Sequence, residues 1–205
     1  MQMNSSRNSW SGSRIAALAV MLLCGTALFA QSTFINGELP TGTATTFSDT
    51  VNGLTATFSS PSDPGSFATT TNFFSFAGWQ LLSDPGPAAA SNIPLDIAFS
   101  APVTSISMDF GLSDTSGPFE LQAYAGSNLV GTAIVDGTVP GGFYFAEGAI
   151  NYTGVFDSVV LTSSTTQYFG VANITATPAP EPSSLMLLGT ALAGVGGFLR
   201  RKLAK

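Results

Sequence analysis

The stretch SISMDF at residues 105–110 alternates without a break. Ile106, Met108 and Phe110 fall on one side, and Ser105, Ser107 and Asp109 on the other. Period two is the mark of a strand with one face buried and one wet. In FELQAYA (119–125), Phe119, Leu121 and Ala123 oppose Glu120, Gln122 and Tyr124, and in DSVVLTS (157–163) Val159 and Leu161 share a face. Three half-buried segments argue for antiparallel pairing, because parallel strands are covered on both faces and read as continuous apolar runs. Further strands are expected at 54–59, 73–82, 93–99, 128–135, 142–147 and 168–176. In the last, Phe169 and Val171 lie on one face and Ile174 on the other, which predicts a bulge. SDPG at 62–65 and at 83–86, with the glycines of VNGL, VDGT and VPGG, separates these runs as turns. No segment between the chain ends has a helical period. The expected fold is therefore all-β, an antiparallel sandwich with Greek-key or jelly-roll-like connections over residues 31–177.

Charge placement narrows the function classes. The six basic residues are Arg7, Arg14, Arg200, Arg201, Lys202 and Lys205, and there is no His. Eleven of the twelve acids lie between Gln31 and Thr177, where no Lys or Arg occurs, so that stretch carries −11. Such a surface repels phosphates, which excludes nucleic acid as a partner. It also disfavours an anionic lipid surface.

The same residue inventory removes most catalysis. Without His, Lys, Arg or Cys in residues 31–177, there is no Ser–His or Cys–His pair, no Lys base and no zinc site of Cys and His. Paired carboxylates could serve a glycosidase, and Asp109 with Glu120, or Asp136 with Glu147, are the candidate pairs. Solvated surface carboxylates explain them more simply, so no enzyme is expected. Calcium is the remaining cofactor to weigh. Asp49, Asp63, Asp84, Asp96, Asp109, Asp114, Asp136 and Asp157 have no cation beside them in sequence, and DFGLSDTSG around Asp109 and Asp114 is the first place for oxygen ligands. No EF-hand spacing is present. A sugar platform would need exposed aromatics, for which Trp79, Tyr124 and Tyr144 are the candidates, although Phe-rich strands usually build core. The sequons at Asn151 and Asn173 matter only where glycosylation machinery exists.

The chain ends read as transport instructions. Polar residues 1–14 precede the apolar run Ile15–Ala30 and then QST, the layout of a secretory signal peptide. Cleavage is expected after Ala30. Cys24 follows Leu23 rather than a small residue, which argues against a lipoprotein signal, and the chain's one Cys then leaves with the signal. At the other end, PAPEPSS (178–184) is an extended linker broken by three prolines. Leu185–Leu199 is an apolar, glycine-rich run that spans about 22 Å as a helix, marginal for a bilayer. Residues 200–205, with Arg200, Arg201 and Lys202, close it. By the positive-inside rule they stay in the cytoplasm while the β domain lies outside.

A Pro-Glu-Pro motif (Pro180, Glu181, Pro182), a short helix beginning SSLMLLG and a terminal RRK together resemble the PEP-CTERM sorting domain of exported bacterial proteins. The resemblance implies export by Sec-type machinery and recognition by an exosortase, a membrane protease-transferase acting near that motif. It also implies a setting of extracellular polysaccharide. The runs APVTSISMDFG, FELQAYAGSNLVGT and FDSVVLTSS…YFGVANITAT are similar to the β-sandwich domains such proteins commonly carry, which implies a jelly-roll-like fold. Ala172-Asn173 stands here where those domains commonly have Asp-Asn. The resulting expectation is a transiently membrane-held surface or matrix protein with a structural or adhesive role and exopolysaccharide as neighbour. The alternatives are a membrane-anchored carbohydrate-binding module and a small carboxylate-dependent glycan hydrolase.

Overall fold

The SISMDF stretch lies inside an 18-residue strand, β6 (Leu95–Leu112), which pairs along most of its length with an equally long strand, β9 (Ala146–Ser163). The computed structural model describes residues 31–34, 46–60, 67–71, 73–83, 94–163, 169–180, 189–192 and 194. The other strands are β1 (Ser32–Phe34), β2 (Thr46–Val51), β3 (Leu54–Ser59), β4 (Phe67–Thr70), β5 (Gln80–Ser83), β7 (Gly117–Ala125), β8 (Asn128–Gly137) and β10 (Phe169–Pro178). Every pairing among them is antiparallel.

Both long strands bend and so serve two layers. Their register shifts between Ala98 and Val103 and again before Ser105, and the inward side switches from Leu95, Ile97 and Phe99 to Ile106, Met108 and Phe110. Pro102 lies at this bend, where its missing N–H removes no ladder bond from a regular strand. Before the bend β6 pairs with β3 and with the second half of β9, which continues into β7 and β8. After it β6 pairs with β10 and with the first half of β9, and β10 carries β5 and β1 on its other edge. The result is a first sheet (β2, β3, β6, β9, β7, β8) and a second (β4, β5, β10, β6, β9, with β1).

Cross-layer contacts close the two sheets into a sandwich. Phe110 of the second sheet stacks on Phe119 of the first at 4.5 Å, and Phe119 meets Phe169 edge-on at 5.1 Å. Tyr152 reaches across to donate its hydroxyl to the Val130 carbonyl at 3.0 Å. Gly131 leaves it room, since a Cβ there would stand 2.3 Å from the Tyr152 oxygen. Phe34, Phe58, Phe110, Phe119, Phe156 and Phe169 are fully buried, each stabilising the sandwich by roughly 1.5–3 kcal/mol through burial. The fold is thus an all-β, antiparallel, jelly-roll-like sandwich.

Several expected strands are altered. The segments at 93–99 and 105–110 are one strand, as are 157–163 and the residues before it back to Ala146. Residues 73–79 are a series of bends rather than the start of a strand, and 141–145 form a turn before β9. The short β1, β4 and the Ser/Thr-rich β2 were not expected. The bulge in β10 is present: the register shifts between Ala172 and Thr175, and Asn173 adopts a left-handed φ of 52°.

The chain divides at Ala179, with Ala30–Ala179 as one compact unit. Of the other unit, the described residues are Pro180, which is exposed, and helical residues at 189–192 and 194. Among the described residues no helix is long and apolar enough to cross a membrane. The expected signal and the bulk of the 185–199 helix fall outside the described residues, as do Cys24, Ala30, Asp63, Asp84, Glu181, Pro182, Arg200, Arg201 and Lys202.

Candidate functional site

The outward face of the second sheet is built around one loop and one bulge. Gly170 of β10 lies opposite Gly111 of β6, and Gly111 lies opposite Glu147 of β9. The ring of Phe74 lies over the glycine pair: a Cβ on Gly111 would stand 2.3 Å from it, and one on Gly170 2.5 Å. Both positions must be glycine for the loop to lie flat. Phe73 and Phe145 stack beside it at 5.1 Å.

Two buried polar side chains hold the loop in place. Gln80 accepts from the N–H groups of Phe73 and Phe74 and donates to the carbonyls of Phe74 and Phe76. Its side chain thereby takes the place of a neighbouring strand for a segment whose apolar run suggested one. Glu147 accepts from the Ser75 N–H at 2.7 Å and from the Ser75 hydroxyl. Among the described residues no buried side-chain polar atom lacks a partner, so this polar network is fully satisfied.

Beside the loop the same face opens to solvent. The bulge gives Asn173 an exposed position, and its Nδ2 donates to Asp109 Oδ2 at 2.6 Å. Gly78, with φ of 94°, closes the loop next to it, and a Cβ there would lie 3.8 Å from Asn173 Oδ1. Further along the face, Ser107 bonds Thr175 at 2.7 Å and Ser105 bonds Thr177 at 2.9 Å.

The sequence candidates fall apart in space. Asp109 faces outward from the second sheet and Glu120 outward from the first, where it pairs with Thr162 and exposed Ile134. Those two carboxylates lie on opposite outer faces and cannot flank one bond. Glu147 is committed to Ser75, while Asp136 is exposed opposite Pro118. Asp114 caps its own turn by accepting from the Thr115 N–H at 2.6 Å. Asp157 accepts from the Gly126 N–H at 2.9 Å in the β7–β8 turn. Among the described residues no three carboxylates gather as a metal-binding group. Asp96, outward on the first sheet, has its pKa raised from the ordinary aspartate value by burial.

The aromatic candidates also separate. Trp79 packs against the core. Tyr124 donates to Gln122 at 2.6 Å, and Gln122 donates to Glu120 at 2.8 Å, a chain along the outer side of β7. Tyr144 is 85% exposed beside exposed Phe143, in the turn where the Phe143 N–H meets the Pro140 carbonyl. Asn151 is exposed on β9. Sequence reasoning missed the roles of Gln80 and Ser75. Both lay in a run read as strand, and only the polar Gln between Trp79 and Leu81 hinted otherwise.

β10 is the last of the described strands. β10 pairs up to Pro178 against Val103, and the Ala179 N–H donates to the Pro102 carbonyl at 2.8 Å. The next residue, Pro180, is exposed.

No curated protein matches the chain in sequence. Solved structures similar in shape include the bacteriophage CBA120 tailspike protein 4 enzymatically active domain, with TM-score 0.34 and 12% identity over 71% of this chain, which spans 22% of that one. TmCBM61 in complex with β-1,4-galactotriose gives TM-score 0.37 and 9% identity, covering 60% of this chain and 88% of that one. CsCBM6-3 from Clostridium stercorarium with cellobiose gives TM-score 0.33 and 13% identity, covering 68% of this chain and 100% of that one. The fold assignment rests on the strand pairing of this chain itself. Residues 178–202, which begin where the last strand ends, match the family described as the PEP-CTERM protein-sorting motif.

Proposed function

We propose that this is an exported protein, sorted and processed through its C-terminal Pro-Glu-Pro, helix and basic cluster, which serves as a structural or adhesive component at the cell surface or in the matrix. The observation that carries the reading is the coincidence of two boundaries. Among the described residues the last backbone bond of the sandwich is made at Ala179, and the matched motif spans 178–202. Cleavage by an exosortase beside Pro180, Glu181 and Pro182 would leave every described strand in place. Pro180, the first residue of the Pro-Glu-Pro motif, is exposed.

The β unit fits a polysaccharide setting. It carries no cation to hold an acidic polymer, and it presents hydroxyl, amide and carboxylate groups on both outer faces. Export in a host with its exosortase gene intact, compared with a deletion strain, tests the reading. Replacement of Pro180, Glu181 and Pro182 by alanine in the intact host should reproduce the deletion: unprocessed chain in the membrane fraction. Normal release of that variant would reject the reading.

A further inference from the structure

We propose that Asp109 and Asn173 form a subsite for the vicinal diol of a neutral polysaccharide. The inference rests on the reading above, in which the β unit works among extracellular polysaccharides, and it names the place of contact. Among the described residues Asp109 has no cationic partner, and Asn173 Nδ2 is the donor that its carboxylate meets, through Oδ2. Its Oδ1 meets no donor among the described residues and remains available to a hydroxyl. The Asn173 amide is delivered there by a bulge and a left-handed backbone, a device that re-aims a side chain out of the ladder.

A carboxylate and a carboxamide one hydrogen bond apart suit two adjacent ring hydroxyls, whose oxygens are separated by about one hydrogen-bond length. One hydroxyl donates to Asp109 Oδ1, the stronger contact because the acceptor is charged, and its neighbour donates to Asn173 Oδ1. Gly78 borders Asn173 Oδ1, and a Cβ there would lie 3.8 Å away. The Ser107–Thr175 and Ser105–Thr177 pairs continue the polar surface along the sheet, as an extended chain of sugars would need. The −11 charge of residues 31–177 repels polyanions, and the uncharged hydroxyl and amide groups that border Asp109 suit a neutral polymer.

The test is native affinity electrophoresis of the exported protein through gels containing galactomannan, dextran or xylan, each with Ca²⁺ or with a chelator. Retardation is expected on at least one gel and should be the same with and without Ca²⁺. Asp109→Asn should weaken it at least tenfold, as expected for loss of a charged acceptor. Asn173→Gly retains the left-handed backbone while removing the amide, and should weaken it similarly with an unchanged thermal melt. Asn151→Ala, on the neighbouring strand, should leave it unchanged. Absence of retardation on all three gels, or retardation insensitive to both variants, overturns the subsite. So does a requirement for Ca²⁺, which would make the pair a cation site. C-terminal processing is read separately by mass, so a failed subsite leaves the sorting reading standing.

Discussion

The two outer faces of the sandwich are built on different principles. On the first sheet, hydroxyls pair across the β2–β3 hairpin in regular register: Ser48 with Thr57 at 2.9 Å, and Thr50 with Thr55 at 2.8 Å. On the second sheet the ladder is interrupted by a bulge, a glycine pair is capped by a phenylalanine, and two buried polar side chains clasp a loop. The first face satisfies itself with short local contacts that are individually weak. The second concentrates its stability in a few residues and leaves Asp109 and Asn173 open beside them.

Single substitutions should separate the faces sharply. Gln80→Leu has the largest expected effect, because it leaves the buried Phe74 N–H and carbonyl unpaired; a loss of about 3 kcal/mol is expected in urea unfolding. Gly111→Ala should cost about 2 kcal/mol, since its methyl must displace the Phe74 ring from a closely packed position. On the first face, Thr57→Val should cost only about 0.5 kcal/mol, the ordinary worth of a cross-strand polar pair. A Thr57→Val loss equal to that of Gln80→Leu would erase the distinction.

Asp96 adds a pH signature to the first face. Burial raises its folded pKa above the ordinary value of 3.8, so the folded state binds the proton more tightly than the unfolded chain. Its stabilising contribution is full below that value and is lost as pH rises through the folded pKa. Asp96→Asn should therefore flatten the stability–pH curve in the window just above pH 3.8 and raise stability at neutral pH. A steeper curve in the variant would contradict the assignment.

The fold was legible wherever burial on one face imposed period two. β3, β7 and most of β10 follow directly from alternation, and the β10 bulge was visible in the parity change between Val171 and Ile174. The joining of 93–99 to 105–110 was not, because exposed Ser100, Ala101 and Pro102 look like a turn when they are a bend within one strand. The loop at 73–79 was misread for a related reason. Phe73, Phe74 and Phe76 are apolar as a core strand would be, but Phe74 packs on the outer-face glycines, Phe73 and Phe76 stack on neighbouring rings, and Gln80 supplies backbone bonds to the segment. Of the candidate site, Asp109 was singled out from its position in DFGLSDTSG, but its partner Asn173 was noticed only as a sequon and as a neighbour of Ala172. No local pattern links residues 64 positions apart.

The most direct test of the central claim is the intact mass of the protein recovered from the cell surface or matrix. The account predicts a product that retains the sandwich through Ala179 and has lost the apolar run and the basic cluster beyond the Pro-Glu-Pro motif. Recovery of surface material with the chain intact to Lys205 would contradict it, and would make the C-terminal segment an anchor rather than a sorting signal.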